Sequence, residues 1–301
     1  MQTVFVTLNW NTTDLLFAMF DSVENTVDGD HRWVIVDNGS SKEEYNDLSY
    51  GLAQRCNGVA VFHVGDKQWE TIAKAPKVCL IRSAKNLGCV LGHNLAFDFI
   101  EISARREPFE IVMLDTDVEI FQKGWLTEVK EWCWGKPVGI VGMEHAEGEC
   151  CAGAVFLDPS GNWYIHQGQT LQPVPIRSES VGLGFALILG RVTAAGLRFD
   201  TGFEMYYKQD DDLCFQVRAD LGLEVWAYPV AGVHWGSGGL KINEYDVGKY
   251  HGWDPFDQMK QRNQKYFSKK WEWALRDRRG DISGEQSHLE VMAREMAKRG
   301  D

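Results

Sequence analysis

The chain has 301 residues, 44% of them hydrophobic and 25% charged, and carries a net charge of −12. That length suits one large α/β domain or two smaller ones with an ample core, and the acidic balance argues against broad nonspecific nucleic-acid binding, which needs basic surface. The longest apolar stretch, Val181 to Leu189, is broken by glycines and falls well short of the ~20 apolar residues of a membrane span.

Thr3 to Leu8 reads as a first strand. It is entered directly, with no basic stretch or cleavage signal before it, which predicts no signal peptide. Thr12 or Thr13 is placed to cap a following helix whose Leu15, Leu16, Met19, Phe20 and Val23 share a face. Trp33 to Val36 is a second strand and ends in Asp37-Asn38-Gly39-Ser40-Ser41. Val78 to Ile81 is a third, Leu91 to Ile102 a helix, and Ile111 to Leu114 a fourth strand that runs into Asp115-Thr116-Asp117. Strands alternating with helices predict a mostly parallel sheet with its strand tips on one edge.

Beyond about residue 137 the pattern changes to short strands, Gly139 to Gly142 and Ala154 to Leu157, separated by Gly- and Pro-rich turns. A polar segment from Gln167 to Ser180, with Pro173 and Pro175, reads as a loop. The expected organisation is a single domain over 1–255, with halves 1–136 and 137–255, followed by a helical extension over 256–301. Charge divides the same way: residues 258–301 carry a net +4 and the rest a net −16. The seven cysteines are odd in number and lack disulfide-framework or zinc-ligand spacing. Adjacent Cys150 and Cys151 are ill placed for a mutual bridge. A reduced, cytoplasmic setting is expected.

The segment with most chemistry is Asp115-Thr116-Asp117. Side chains at i and i+2 of a strand point the same way, and ligands of open α/β sheets bind beyond the carboxyl ends of the strands. Asp115 and Asp117 are therefore expected to face one site, where a hard divalent cation accepts oxygen ligands. A plain turn made by the aspartates is the competing reading. Asp210-Asp211-Asp212 precedes Leu213, Phe215 and Val217 at spacings that start a helix, and acidic residues in a first turn suit the helix dipole.

Five segments lie in the order of a known family: VIVDNGSS (34–41), NLGCVLGHN (86–94), LDTDVEI (114–120), LRFDTGFEMYYKQDDDLCFQVRADLG (197–222) and YPVAGVHWGSGG (228–239). Together they resemble the inverting family 2 glycosyltransferases of GT-A fold, in particular a rhamnosyltransferase-like subgroup. Arg262-Asn263 and the run Tyr266 to Trp271 look like that family's ending, so the resemblance covers roughly residues 3–271. It implies a GT-A (Rossmann-like) mixed, mostly parallel sheet flanked by helices. The implied activity is metal-dependent transfer of a hexose or deoxyhexose from a nucleoside-diphosphate sugar, with Mn²⁺ or Mg²⁺. Asp37, Asn38, Asn86, Gly88, Asn94 and Asp115 would then bind the donor, and Asp115, Asp117 and His234 the metal. Asp210 falls at the family's general base, with Asp212 as the alternative. The chain departs from the pattern at Gln209, where the family has Glu; Gln can orient a group but cannot take a proton.

The acceptor implied is a glycan or lipid-linked glycan, ahead of a protein or modified nucleic acid. A second reading is a GT-A module that binds a nucleotide sugar or glycan without turnover, for which Gln209 is the support. A nucleotidyltransferase would want a glycine-rich basic loop after the first strand, and Asn9 to Thr13 contains no Gly, Lys or Arg. Trp163, Trp235 and Trp253 could stack on a sugar or merely pack. The basic aromatic tail, with Trp271 and Trp273, reads as a helix clamped on the domain edge, a peripheral membrane contact, or a contact with an anionic acceptor.

Overall fold

The computed structural model describes residues 1–56, 58–64, 76–104, 108–145, 155–157, 163–165, 175–235 and 253–271. Cys150, Cys151, Gly236 to Gly239, Trp273 and most of the expected 167–180 loop lie outside them, and Trp163 and Trp253 are described in backbone only.

The elements run β1 (Gln2–Asn9), α1 (Thr13–Thr26), β2 (His31–Asn38), α2 (Lys42–Arg55), β3 (Val59–His63), β4 (Val78–Ser83), α3 (Gly88–Ala104), β5 (Phe109–Leu114), β6 (Val118–Ile120), α4 (Trp125–Cys133) and β7 (Val138–His145). There follow β8 (Val155–Leu157), β9 (Trp163–Ile165), β10 (Ile176–Ser178), β11 (Phe185–Ile188), α5 (Gly190–Ala194), α6 (Gln209–Leu221), β12 (Glu224–Val230), β13 (Gly232–His234) and α7 (Trp253–Lys270). Nine strands form one sheet in the order β10-β12-β7-β11-β5-β1-β2-β4-β3. The β5-β1-β2-β4-β3 block is parallel throughout, while β11 runs antiparallel to both β5 and β7.

Both faces of the sheet are buried, and strand alternation divides the core between them. Val4, Val6, Val34, Val36, Ile111 and Met113 pack with α3, α6 and α7 on one face. Phe5, Trp33, Ile35, Val112 and Leu114 pack with α1, α2 and α4 on the other. Trp33 is stacked on Phe5 at 4.8 Å and lies 4.7 Å from Phe20, which pins α1 to the sheet. Phe267 of α7 and Trp271 just beyond its end enter the first cluster, so this helix is part of the core.

Local chemistry differs from expectation in three places. Thr12 is the N-cap residue of α1, yet its hydroxyl makes no cap bond and donates instead to Asn9 Oδ1 at 3.0 Å. Thr116 donates to the Thr12 hydroxyl at 3.2 Å and Asn9 to Ser40 at 3.3 Å, so a polar chain ties together the tips of β1, β2 and β5. Asp115 and Asp117 lie beyond the end of β5 in a turn closed by Val118 N–H on Asp115 O at 3.3 Å, so strand alternation does not set their directions. Finally, α2 and β3 fill the interval between the second and third expected strands. No helix among the described residues is long and apolar enough to cross a membrane.

Candidate functional site

The turn after β5 and the hairpin-like pair β6–β13 bring three ligand-bearing side chains together. Ligand atoms of Asp115, Asp117 and His234 lie within 4.8 Å of one another. His234 Nε2 is 3.1 Å from Asp117 Oδ1 and 3.7 Å from Asp115 Oδ2. The antiparallel register sets this up, because His234 pairs with Val118, the residue that follows Asp117. Asp117 is buried, whereas the Asp115 side chain is about half exposed, which leaves an open side to the cluster. Burial disfavours a charged His234, but its bond to Asp117 and the charges of both aspartates outweigh burial and raise its pKa.

Two hard carboxylates and one imidazole make a donor set suited to Mn²⁺ and acceptable to Mg²⁺. The backbone leaves room for the Asp115 carboxylate at Gly184. A Cβ built there would lie 2.4 Å from Asp115 Oδ2 and 3.4 Å from His234 Cε1. Gly184 is held in place by Asp115 N–H, which donates to its carbonyl at 2.6 Å. Gly184→Ala should leave the fold intact, since the Asp115 carboxylate can rotate away, and should weaken Mn²⁺ binding at least ~10-fold. Titrating the melting temperature with Mn²⁺ checks this; an unchanged titration would remove Gly184 from the site.

Asp210 and Asp212 are two residues apart on α6 and so project from different sides of the helix. Asp210 Oδ2 accepts from Leu183 N–H at 3.3 Å. Burial, and then the charge of Asp115, push its carboxyl up to about 7, partly offset by the Leu183 N–H and the Gln209 side chain. Asp212 is turned elsewhere. Its oxygens accept from Trp271 Nε1 at 2.7 Å, Lys270 Nζ at 2.9 and 3.0 Å, and Gln216 Nε2 at 2.6 Å. Asp211 is also committed, to Ser180 at 2.6 Å and Lys208 at 2.8 Å. Of the acidic run, Asp210 is the carboxylate that feels the charge of Asp115. Gln209 is buried, and its Oε1 has no hydrogen-bond partner among the described residues.

The remaining expected donor residues fall into two groups. Asp37, at the tip of β2, is a fully buried carboxylate with no well-formed hydrogen bond to either oxygen among the described residues, and Arg82 Nε lies 3.9 Å away. Burial raises its pKa against the opposing pull of Ser40 and Arg82. The amide residues bond within the protein. Asn38 donates to Asn86 Oδ1 at 3.1 Å and accepts from Leu87 N–H at 2.9 Å. Asn94 exchanges bonds with the backbone of Phe199 at 2.8 and 3.0 Å. Gly88 has φ +76°, and a Cβ there would meet Met205 Cα at 2.6 Å, so the start of α3 rests directly on the segment before α6.

That segment is strained. Met205, Tyr207 and Lys208 have φ of +40°, +90° and +70°. A non-glycine residue in such a region costs on the order of 1–3 kcal/mol and persists only where the surroundings impose it. Sequence reasoning had no signal for this, nor for the link from Asp212 to Lys270 and Trp271 at the end of α7. With Trp271 buried on Asp212, that indole is not available to a membrane surface. Trp235, exposed beside His234, donates from Nε1 to Glu119 at 2.9 Å.

No protein-family model and no curated protein sequence matches the chain. Solved structures do resemble it. The crystal structure of GalNAc-T7 with UDP, GalNAc and Mn²⁺ superposes with a TM-score of 0.57 at 13% identity, over 95% of this chain and 58% of that one. Two structures of S. aureus TarS, one of them limited to residues 1–349, give TM-scores of 0.49 and 0.48 at 10% and 9% identity. They cover 82% and 97% of this chain and 38% and 77% of theirs. The chain thus spans little more than half the length of the GalNAc-T7 chain, and at such identity the likeness is one of fold: a mixed, mostly parallel sheet flanked by helices, of the GT-A type.

Proposed function

We propose that the protein is a metal-dependent, inverting glycosyltransferase that moves a sugar from a nucleoside-diphosphate donor to an acceptor hydroxyl. The observation that carries the reading is the Asp115–Asp117–His234 cluster at the strand tips, with Asp210 poised at about 7 on the facing helix. The ligands found with GalNAc-T7, UDP and Mn²⁺, are the chemistry such a cluster would serve.

Asp115, Asp117 and His234 would hold the ion, which when bound supplies positive charge against the diphosphate as it departs. The buried Asp37 would accept hydrogen bonds from the nucleoside. Asn38 and Asn86 act by fixing the loop into α3 so that its backbone can approach the donor across Gly88. Asp210 takes the proton of the acceptor hydroxyl; the oxygen lone pair attacks the anomeric carbon from the face opposite the diphosphate, and the bond to the diphosphate oxygen breaks. A carboxyl near 7 is half ionised at neutral pH, which suits a base there. Asp212 holds α7. The resemblance gives a hexose or deoxyhexose as the sugar and a glycan or lipid-linked glycan as the acceptor.

The test is a thermal-shift panel of UDP, GDP, dTDP and CMP, each with and without Mn²⁺. One nucleoside diphosphate at ~100 times its Kd should stabilise the protein by about 2.7 kcal/mol, several degrees, only when Mn²⁺ is present. No shift with any nucleotide would overturn the donor site. Release of nucleotide from the matching sugar donor then separates a transferase from a module that binds without turnover.

A further inference from the structure

We propose that Asn263 of α7 is a positioning residue for Asp210, holding in place the strained turn that delivers the base to the site. The proposal rests on the transferase reading above. Asn263 is 1% exposed and has its amide inside the turn. Its Oδ1 accepts from Glu204 N–H at 3.0 Å, and its Nδ2 donates to the carbonyls of Glu204 at 2.8 Å, Tyr206 at 2.9 Å and Tyr207 at 3.3 Å. One side chain thus reads the peptide groups on both sides of Met205 and up to Lys208, the stretch with positive φ.

The turn has a second support and a direct output. On its other side Cys89 N–H, at the start of α3, donates to Met205 O at 2.6 Å. Downstream, Asp212 N–H donates to Lys208 O at 3.0 Å, the first helical bond of α6. The turn therefore sets where α6 begins, and Asp210 is the second residue of that helix. Displacing the turn moves Asp210 relative to Asp115 while leaving the Asp115–Asp117–His234 cluster in place, because that cluster is held by the turn between β5 and β6 and by β13. Asn is the side chain of this length that offers both an acceptor and two donors. Aspartate would turn a charge toward the same carbonyls, and leucine would leave them unpaired.

The experiment compares wild type with Asn263→Ala, with the milder Asn263→Ser in case alanine does not fold, and with Arg262→Ala as the control. Arg262 grips Glu204 through an exposed pair of 2.6 Å bonds on the same helix. Asn263→Ala or Asn263→Ser should lower kcat about 100-fold, the scale of a misplaced catalytic group. Donor KM and the Mn²⁺-dependent nucleotide shift should stay within about 2-fold of wild type, and amide exchange over 203–210 should accelerate. Arg262→Ala should keep wild-type kcat. Adding Met205→Gly, which relaxes one strained residue, should restore part of the lost kcat. Unchanged kcat, or a loss of nucleotide binding as large as the loss of kcat, would overturn the positioning role. A wild-type protein that neither transfers nor hydrolyses any donor would overturn the transferase reading itself, and the positioning role with it.

Discussion

Asp117→Ala should abolish the Mn²⁺-dependent nucleotide shift and lower transfer by about a thousand-fold or more, equivalent to about 4 kcal/mol of lost transition-state stabilisation. Asp117 is the buried member of the cluster and the one whose carboxylate lies 3.1 Å from His234 Nε2. Its removal takes away a ligand and also the group that turns the imidazole toward the site. Asp115 has its side chain about half in solvent and can be partly replaced by water; Asp117 cannot. Apparent stability without metal should change far less than the metal-dependent increment, because the aspartate and histidine are there balanced against their own desolvation. Nucleotide shifts with and without Mn²⁺, on both proteins, provide the check. A variant that keeps a Mn²⁺-dependent shift of wild-type size would show that the cluster is not the metal site.

Asp210→Asn should lower kcat by about 10²–10⁴-fold, the usual contribution of a general base, with nucleotide binding retained. It should also make the protein more stable above neutral pH. The sign follows from linkage. The folded-state pKa is raised to about 7 from an ordinary 3.8, so the folded protein holds this proton more tightly than the unfolded chain does. Stability from this group is therefore greatest in acid, is lost as pH rises from about 4 to about 7, and stays lost above that. Asparagine does not ionise, so the melting-temperature gap in favour of the variant should open across that window and level off above pH 7. The gain is on the order of 1–4 kcal/mol, given 1.36 kcal/mol per pKa unit. The rate of wild type should rise through the same region, at somewhat lower pH once a divalent cation sits beside Asp115. Near-normal transfer by Asp210→Asn would remove it as the base.

Much of the sheet was legible in the sequence because burial on both faces writes long apolar runs. Val4 to Val6, Trp33 to Val36, Val78 to Ile81 and Ile111 to Leu114 are such runs. Two of the omitted elements, α2 and β3, have little to bury, whereas α4 and β12 bury more. Helix α2 covers the core with Leu48, Gly51 and Leu52 alone, and the edge strand β3 buries only Phe62. At the site, Asp115, Asp117, His234 and Asp210 stood out through motif order, and the structure gathers the first three directly. The internal use of Asn38, Asn86 and Asn94 was not legible, since an amide beside a ligand pocket looks the same whether it bonds to ligand or to its own loop. Nor were the Lys270 and Trp271 partners of Asp212, which lie 58 and 59 residues away in sequence. The positive φ values at Met205, Tyr207 and Lys208 belong to residues with no preference for that backbone; the fold imposes them.

The pairing of Asp117 with His234 across 117 residues also has a temporal side. A ribosome adding roughly 5–20 residues per second needs about 6–23 seconds to travel from one to the other. During that interval the nascent chain carries the two carboxylates at a strand tip without the histidine. A metal held by all three side chains would therefore be captured only after His234 has been made.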